Sequence, residues 1–228
     1  MSLTRSIDAY CERIDPGLWS EPANAFTNLG FLLAAWLLWR ELAELRVAGA
    51  RLPASIVALP ALLALIGVCS FLFHTLATLW ASLADQLSIL LFGGVFLYAF
   101  LRHPARLGTG LALAGALVFT VASYFTPRTL PAGFLNQSGA YFPYLVGLVG
   151  ITAWLRHARR EGWRGFAAAI VLFCAALVLR TFDPLVCERF PLGTHFLWHL
   201  LTAAVLLMLA RALVREALQS VDAPRGRG

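Results

Sequence analysis

Long apolar runs alternate with short polar breaks along this chain. Seven runs stand out, at residues 24–44, 53–77, 83–101, 108–126, 139–158, 163–182 and 193–216. Each is close to the ~20 residues a helix needs to cross the hydrocarbon layer of a membrane. Charge, proline and glycine mark most breaks: Arg40 to Arg51, Arg102-His103-Pro104, Pro127 to Pro131, Arg156 to Arg164, and Asp183 to Pro191. The break from Ala77 to Ser82 carries no charge. It rests on the length of the combined run and on Asp85, which the centre of a membrane helix would resist. No repeat or low-complexity segment interrupts the series. The pattern predicts an all-α membrane protein, a seven-transmembrane helix bundle over 24–216. An acidic N-terminal tail over 1–23 precedes it, and a short cytoplasmic tail over 217–228 follows.

Composition agrees with this picture: 60% of the residues are hydrophobic and only 13% charged, against about a quarter charged in soluble domains. The net charge of +6 could suggest nucleic acid, but the distribution of arginine explains it otherwise. Seven crossings place the termini on opposite sides. The side of the N-terminal tail then holds five arginines (Arg5, Arg13, Arg128, Arg180 and Arg189) and the other side thirteen. Arginine and lysine accumulate on the cytoplasmic side, so the N-terminus is expected outside and the C-terminus in the cytoplasm. The positive charge is topological, and no nucleic-acid partner is implied. All eighteen basic residues are arginine, as coding from a GC-rich genome favours, which suggests a bacterial inner membrane. The first twenty residues hold five charges and no apolar core, so no cleavable signal peptide is expected.

Depth then gathers the polar residues. Ser70 and His74 close the second run, Asp85 opens the third, and His195 and His199 open the seventh. All five fall at the outer, periplasmic end of the bundle. The i, i+4 spacing puts His195 and His199 on one helical face, as it does Ser70 and His74. Three neutral imidazoles from two helices suit a catalytic zinc ion with a fourth position free for water. Zinc lowers the pKa of such a water to about 7. Asp85 is the candidate for taking and returning the proton, and Ser70 for donating to the oxyanion that develops on an attacked carbonyl. The bland readings are helix–helix hydrogen bonds for the histidines, a packing role for Ser70, and a partner for a ligand imidazole in the case of Asp85. Haem would call for facing histidines on separate helices. A metal transporter would call for ligands at several depths. His103 and His157 lie among arginines on the cytoplasmic side, and no role is assigned to them.

The tail crowds Asp8, Glu12, Asp15 and Glu21 into a short stretch. A hard cation such as calcium would relieve their repulsion; a solvated tail with Glu21 capping the first helix is the alternative. Asn24 and Asn28 are expected to bond to neighbouring helices. Cys69 and Cys174 read as packing residues. Cys11 and Cys187 share the outer side, where an oxidising compartment permits a disulfide across the mouth of the bundle; two free thiols are the alternative.

In combination, Ser70-x3-His74, Asp85 and His195-x3-His199 resemble the signature of the alkaline ceramidases. These belong to the CREST group of seven-helix membrane hydrolases, which includes relatives of the adiponectin receptors. Tyr10-Cys11-Glu12 and Glu21-x2-Asn24-x3-Asn28 are similar to that family's acidic amino-terminal motif. The resemblance runs from about residue 8 to residue 210. It implies a zinc-dependent amidase that cleaves the N-acyl bond of ceramide to a sphingoid base and a fatty acid. His74, His195 and His199 would then hold zinc, Asp85 would be the general base, and Ser70 the oxyanion donor. It also implies calcium on Glu12, Glu21 and the Tyr10 carbonyl, with Asp8 one residue out of register and Asp15 without a counterpart. Cys11 and Cys187 match a family disulfide. Gln86-Leu87-Ser88 stands where animal enzymes carry Glu-Leu-Pro, and the two tail glutamates are spaced differently, which resembles the bacterial branch. A hydrolase of another lipid amide or ester, or a receptor-like protein with structural zinc, are the rival functions. Oligomeric state and acyl preference are not legible.

Overall fold

A computed structural model of the chain describes residues 2–131 and 133–222. Among these the structure is helical, with an isolated bridge between Ser6 and Thr78 as its one β feature. In chain order the helices are α1 (Pro22–Thr27), α2 (Leu29–Val47), α3 (Ala54–Val57), α4 (Leu59–Leu76), α5 (Leu79–Arg102), α6 (Thr109–Thr129), a 3-10 segment (Phe134–Tyr141), α7 (Phe142–His157), α8 (Trp163–Val186) and α9 (His195–Asp222).

Six of these stretches are long and apolar enough to cross a membrane: Ala54–Leu76, α5, α6, Phe134–His157, α8 and α9 through Ser220. The chain is therefore an integral, multi-pass membrane protein. The first expected crossing coincides with α1 and α2, which are not among the six. Asn24 and Asn28 dilute its apolar run at one end, and Arg40, Glu41, Glu44 and Arg46 at the other.

Exposure along the helices shows which surface meets lipid. In α6, Leu111, Leu113, Leu117, Val118 and Val121 are exposed; Val146 and Val149 of α7 and Val171 and Val178 of α8 also point outward. With no water to shed, such side chains carry no penalty in hydrocarbon. α9 is the central helix, packed against α8 and α2 and touching α4 and α5. The core around it is built from Leu38, Ile56, Leu63, Phe166 and Leu213. At the end away from Glu21, Arg160 Nε donates to the buried Glu216 carboxylate at 2.6 Å, and Gly162 N donates at 3.0 Å. That grip ties the α7–α8 turn to α9.

The uncharged break after the second run is the shortest of all. α4 ends on Ala77, which is left-handed at φ 44°, and extended Thr78 leads straight into α5. The N-terminal tail makes this turn. Ile7 N donates to Ala77 O (2.7 Å), Leu79 N to Arg5 O and Trp80 N to Leu3 O (both 3.0 Å). α5 thus starts four residues before the expected 83, and Asp85 sits in its second turn. α8 likewise runs four residues past 182, taking in Asp183 and Pro184. α9 continues through the start of the expected 217–228 tail to Asp222; Arg225 and Arg227, counted in the charge balance, lie outside the described residues.

Candidate metal centre

The site forms where the end of α4, the start of α5 and the start of α9 meet beneath the tail. His74, His195 and His199 are buried, and one ligand nitrogen from each lies within 4.8 Å of the others. Ring centroids are 4.6 Å apart for His74–His199 and for His195–His199, and 5.2 Å for His74–His195. No other group of three His, Cys, Asp or Glu residues among those described converges in this way.

Hydrogen bonds fix the tautomers. Glu21 Oε2 lies 2.6 Å from His74 Nδ1, and a carboxylate only accepts, so this nitrogen carries a proton. Thr27 Oγ1 donates its one proton to Ala23 O at 2.7 Å. It must therefore accept from His199 Nδ1, 3.0 Å away. Both histidines are left with a bare Nε2, the arrangement that outer partners impose on metal-ligating imidazoles. His195 has a buried Nδ1 with no partner, while the Tyr10 ring stacks on its face at 3.7 Å. Three imidazoles, two of them with Nδ1 already engaged so that Nε2 is left to ligate, form a donor set that fits zinc.

Ser70 lies one turn before His74, is buried, and reaches the Asp85 carboxylate. Asp85 Oδ1 is buried without a hydrogen-bond partner, and its carboxylate stands outside the histidine cluster. These polar groups line one end of a cavity of about 120 Å³. Its other walls are apolar, a mixture of aromatic residues such as Phe92, Phe96, Phe119 and Phe173 and aliphatic ones, with Trp198 and Arg180 also in the lining. Such a site offers polar chemistry at one end and room for apolar chain at the other.

α9 begins at His195 because of residues outside it. The buried Asp183 carboxylate accepts from Thr194 N (2.7 Å) and His195 N (2.9 Å), and so caps the helix from a distance. Its other oxygen accepts from Cys11 N at 3.2 Å. Gly193, at φ +67°, makes the turn, and a Cβ there would come within 2.2 Å of Asp183 Oδ1. Cys11 and Cys187 form a disulfide with Cα atoms 5.1 Å apart, which fastens the tail to the end of α8.

The tail acids do not assemble as a calcium site. Glu12 accepts from Ala23 N (2.6 Å) and Asn24 N (2.8 Å) and so caps α1. Burial pushes its carboxyl above the usual range. Glu21 bonds to His74, to Arg13 Nε (2.5 Å) and to Asn24 Nδ2 (3.1 Å). Burial would raise its carboxyl, but His74 and Arg13 outweigh that and hold it below the usual range. The Tyr10 carbonyl accepts from Arg13 N (3.2 Å). Asp8 is exposed, and Asp15 accepts from Gly17 N (2.6 Å). Both oxygens of Glu12 and both of Glu21 already accept from protein donors, and no three acids converge among the described residues, so these residues do not fit calcium.

Sequence reasoning gave Asp183 and Arg180 other readings, a loop charge and one arginine in a topological count, and singled out neither Thr27 nor Tyr141, which lines the same cavity. Asp183 and Arg180 left a faint signal, because ionisable residues inside or beside apolar runs mark functional ends.

A family model described as Ceramidase matches residues 9–223. Among curated proteins none matches the sequence.

Proposed function

Because the chain belongs to the ceramidase family and is thus an amidohydrolase, we propose that it cleaves the N-acyl bond of ceramide inside the membrane. His74, His195 and His199 would hold the zinc ion this requires. The observation that carries the reading is a cluster of three buried imidazoles, two of which, His195 and His199, line the polar end of an apolar cavity. Zinc there would supply Lewis acidity and lower the pKa of a water to about 7.

The other steps belong to the protein. The cavity's apolar walls receive the hydrocarbon next to the scissile bond and leave the amide at the histidine end. Asp85 takes a proton from the attacking water as its oxygen bonds to the carbonyl carbon. Ser70 donates a hydrogen bond to the carbonyl oxygen as negative charge grows there. The C–N bond then breaks, and Asp85 returns the proton to the leaving amine. A fatty acid and a sphingoid base result. The unpartnered Oδ1 of Asp85 supports this role, because no protein donor competes for it.

Counting α1 and α2 together as a membrane helix gives seven crossings, with the N-terminus outside and the C-terminus cytoplasmic. The site then faces the periplasm, and the substrate is drawn from the bilayer.

The test is fatty acid release by the purified protein from a panel of ceramides and other N-acyl amides, read by mass spectrometry beside His199→Ala. Release by the wild type alone is expected, with ceramides preferred. Release from esters but no amide would overturn the amidase assignment. No release from any lipid by zinc-loaded protein would point to a structural metal.

A further inference from the structure

The tail's negative charge calls for a cation, and the structure contains one. We infer that the Arg13 guanidinium is a built-in replacement for a tail metal ion, and that it acts through Glu21 as a positioning residue for His74. This rests on the reading of the three histidines as a zinc site.

Arg13 is buried, with its side chain 2% exposed. Its three nitrogens reach four oxygens of separate origin: Glu21 Oε1 at 2.5 Å from Nε, Asp15 O at 3.1 Å and Gly17 O at 3.3 Å from Nη1, and His74 O at 3.1 Å from Nη2. One carboxylate and three carbonyls are ligands of the kind a hard divalent cation collects. Here a permanently charged, planar fork meets them by hydrogen bonds instead. Because the cation is covalently part of the tail, it cannot dissociate.

The contacts also form a relay. Arg13 holds one oxygen of Glu21, and the other oxygen takes the His74 Nδ1 proton at 2.6 Å. Meanwhile Arg13 Nη2 grips the His74 carbonyl. One guanidinium therefore fixes both the backbone of His74 and the group that sets its tautomer. An Arg–Glu–His chain of this kind raises the basicity of the ligand imidazole and locks its ring. Removing Arg13 leaves the Glu21 carboxylate buried against His74 and Asn24, with its one permanently charged partner gone.

The experiment uses the full-length protein in detergent. Three quantities are measured: ⁴⁵Ca²⁺ bound, zinc affinity by competition with a chelator, and the d–d bands of the cobalt(II)-loaded protein. The wild type is expected to bind no stoichiometric calcium, and its zinc affinity should be equal in calcium-free buffer and in millimolar CaCl₂. Arg13→Ala is expected to lose zinc affinity by roughly 10- to 100-fold. Arg13→Lys, which keeps the charge but not the fork, should fall between the two. Glu21→Gln should shift the cobalt bands in the same sense as Arg13→Lys, because both act on His74. If Arg13→Ala does not fold, the Lys and Gln variants carry the test. Stoichiometric calcium on the wild type, or calcium-dependent zinc affinity, would overturn the replacement. Unchanged zinc affinity and cobalt bands in Arg13→Lys and Glu21→Gln would overturn the positioning role. A wild type that takes up neither zinc nor cobalt would instead defeat the metal reading on which both depend.

Discussion

Asp85 and Ser70 differ in what their loss should do. Replacing Asp85 by Asn keeps the side chain's shape but removes the proton acceptor. Turnover should fall by about 10²–10⁴-fold, while zinc stoichiometry by atomic emission stays at the wild-type value. Ser70→Ala should cost about 10²–10³-fold in kcat, again with zinc retained. Full activity in either variant would remove that residue from the mechanism. Thr27 sits one layer out. Thr27→Val deletes the acceptor for His199 Nδ1 and leaves a buried donor unpaired, so zinc affinity should drop roughly 10–100-fold. Chelator competition reads this directly. The histidines, Ser70 and Asp85 are legible in the sequence because helical spacing and shared depth are local or topological properties. The partners of Nδ1 are not legible. Glu21 meets His74 across 53 positions and Thr27 meets His199 across 172, and neither spacing has a periodic signature. Arg13 was likewise hidden: an arginine counted by side looks the same whether it faces water or lies buried in a nest of carbonyls.

At the scale of elements, the apolar runs located the helices, but the local chemistry of their ends moved several boundaries. Asp85 suggested a break before residue 83; instead α5 starts at Leu79 and carries Asp85 in its second turn, with Oδ1 buried. Ala77 adopts a left-handed conformation that alanine does not advertise, and the tail's hydrogen bonds compensate for it. The charge of Asp183 argued for a loop, yet the residue belongs to α8, where its carboxylate binds the backbone that opens α9. The turn at Gly193 depends on that contact. Gly193→Ala combines a positive φ with a clash against Asp183 Oδ1. It should destabilise the protein by more than ~1 kcal/mol and move the first turn of α9. Reduced zinc affinity together with a lower melting midpoint would report both effects, and an unchanged melting curve would contradict them.

Across the whole molecule, the tail is part of the histidine-bearing end of the bundle rather than an appendage to it. It completes the α4–α5 turn, stacks Tyr10 on His195, and places Glu12, Arg13 and Glu21 over the bundle. The Cys11–Cys187 disulfide closes this arrangement. Cys11→Ser with Cys187→Ser should lower stability by about 2–5 kcal/mol, and reductant should bring the wild type to the same melting midpoint. If reductant leaves the midpoint unchanged, the tail is held by its polar contacts alone.

That cross-link joins residues 176 positions apart, and this separation has a consequence for synthesis. Cys11 leaves the ribosome long before its partner. At 5–20 residues per second, it waits roughly 9–35 s for Cys187 to be translated. During that interval the thiol is exposed to every oxidant and stray cysteine in its compartment, and α9, with two of the three histidines, does not yet exist. A chain halted before residue 187 would therefore carry an unpaired thiol and lack two of the three clustered histidines.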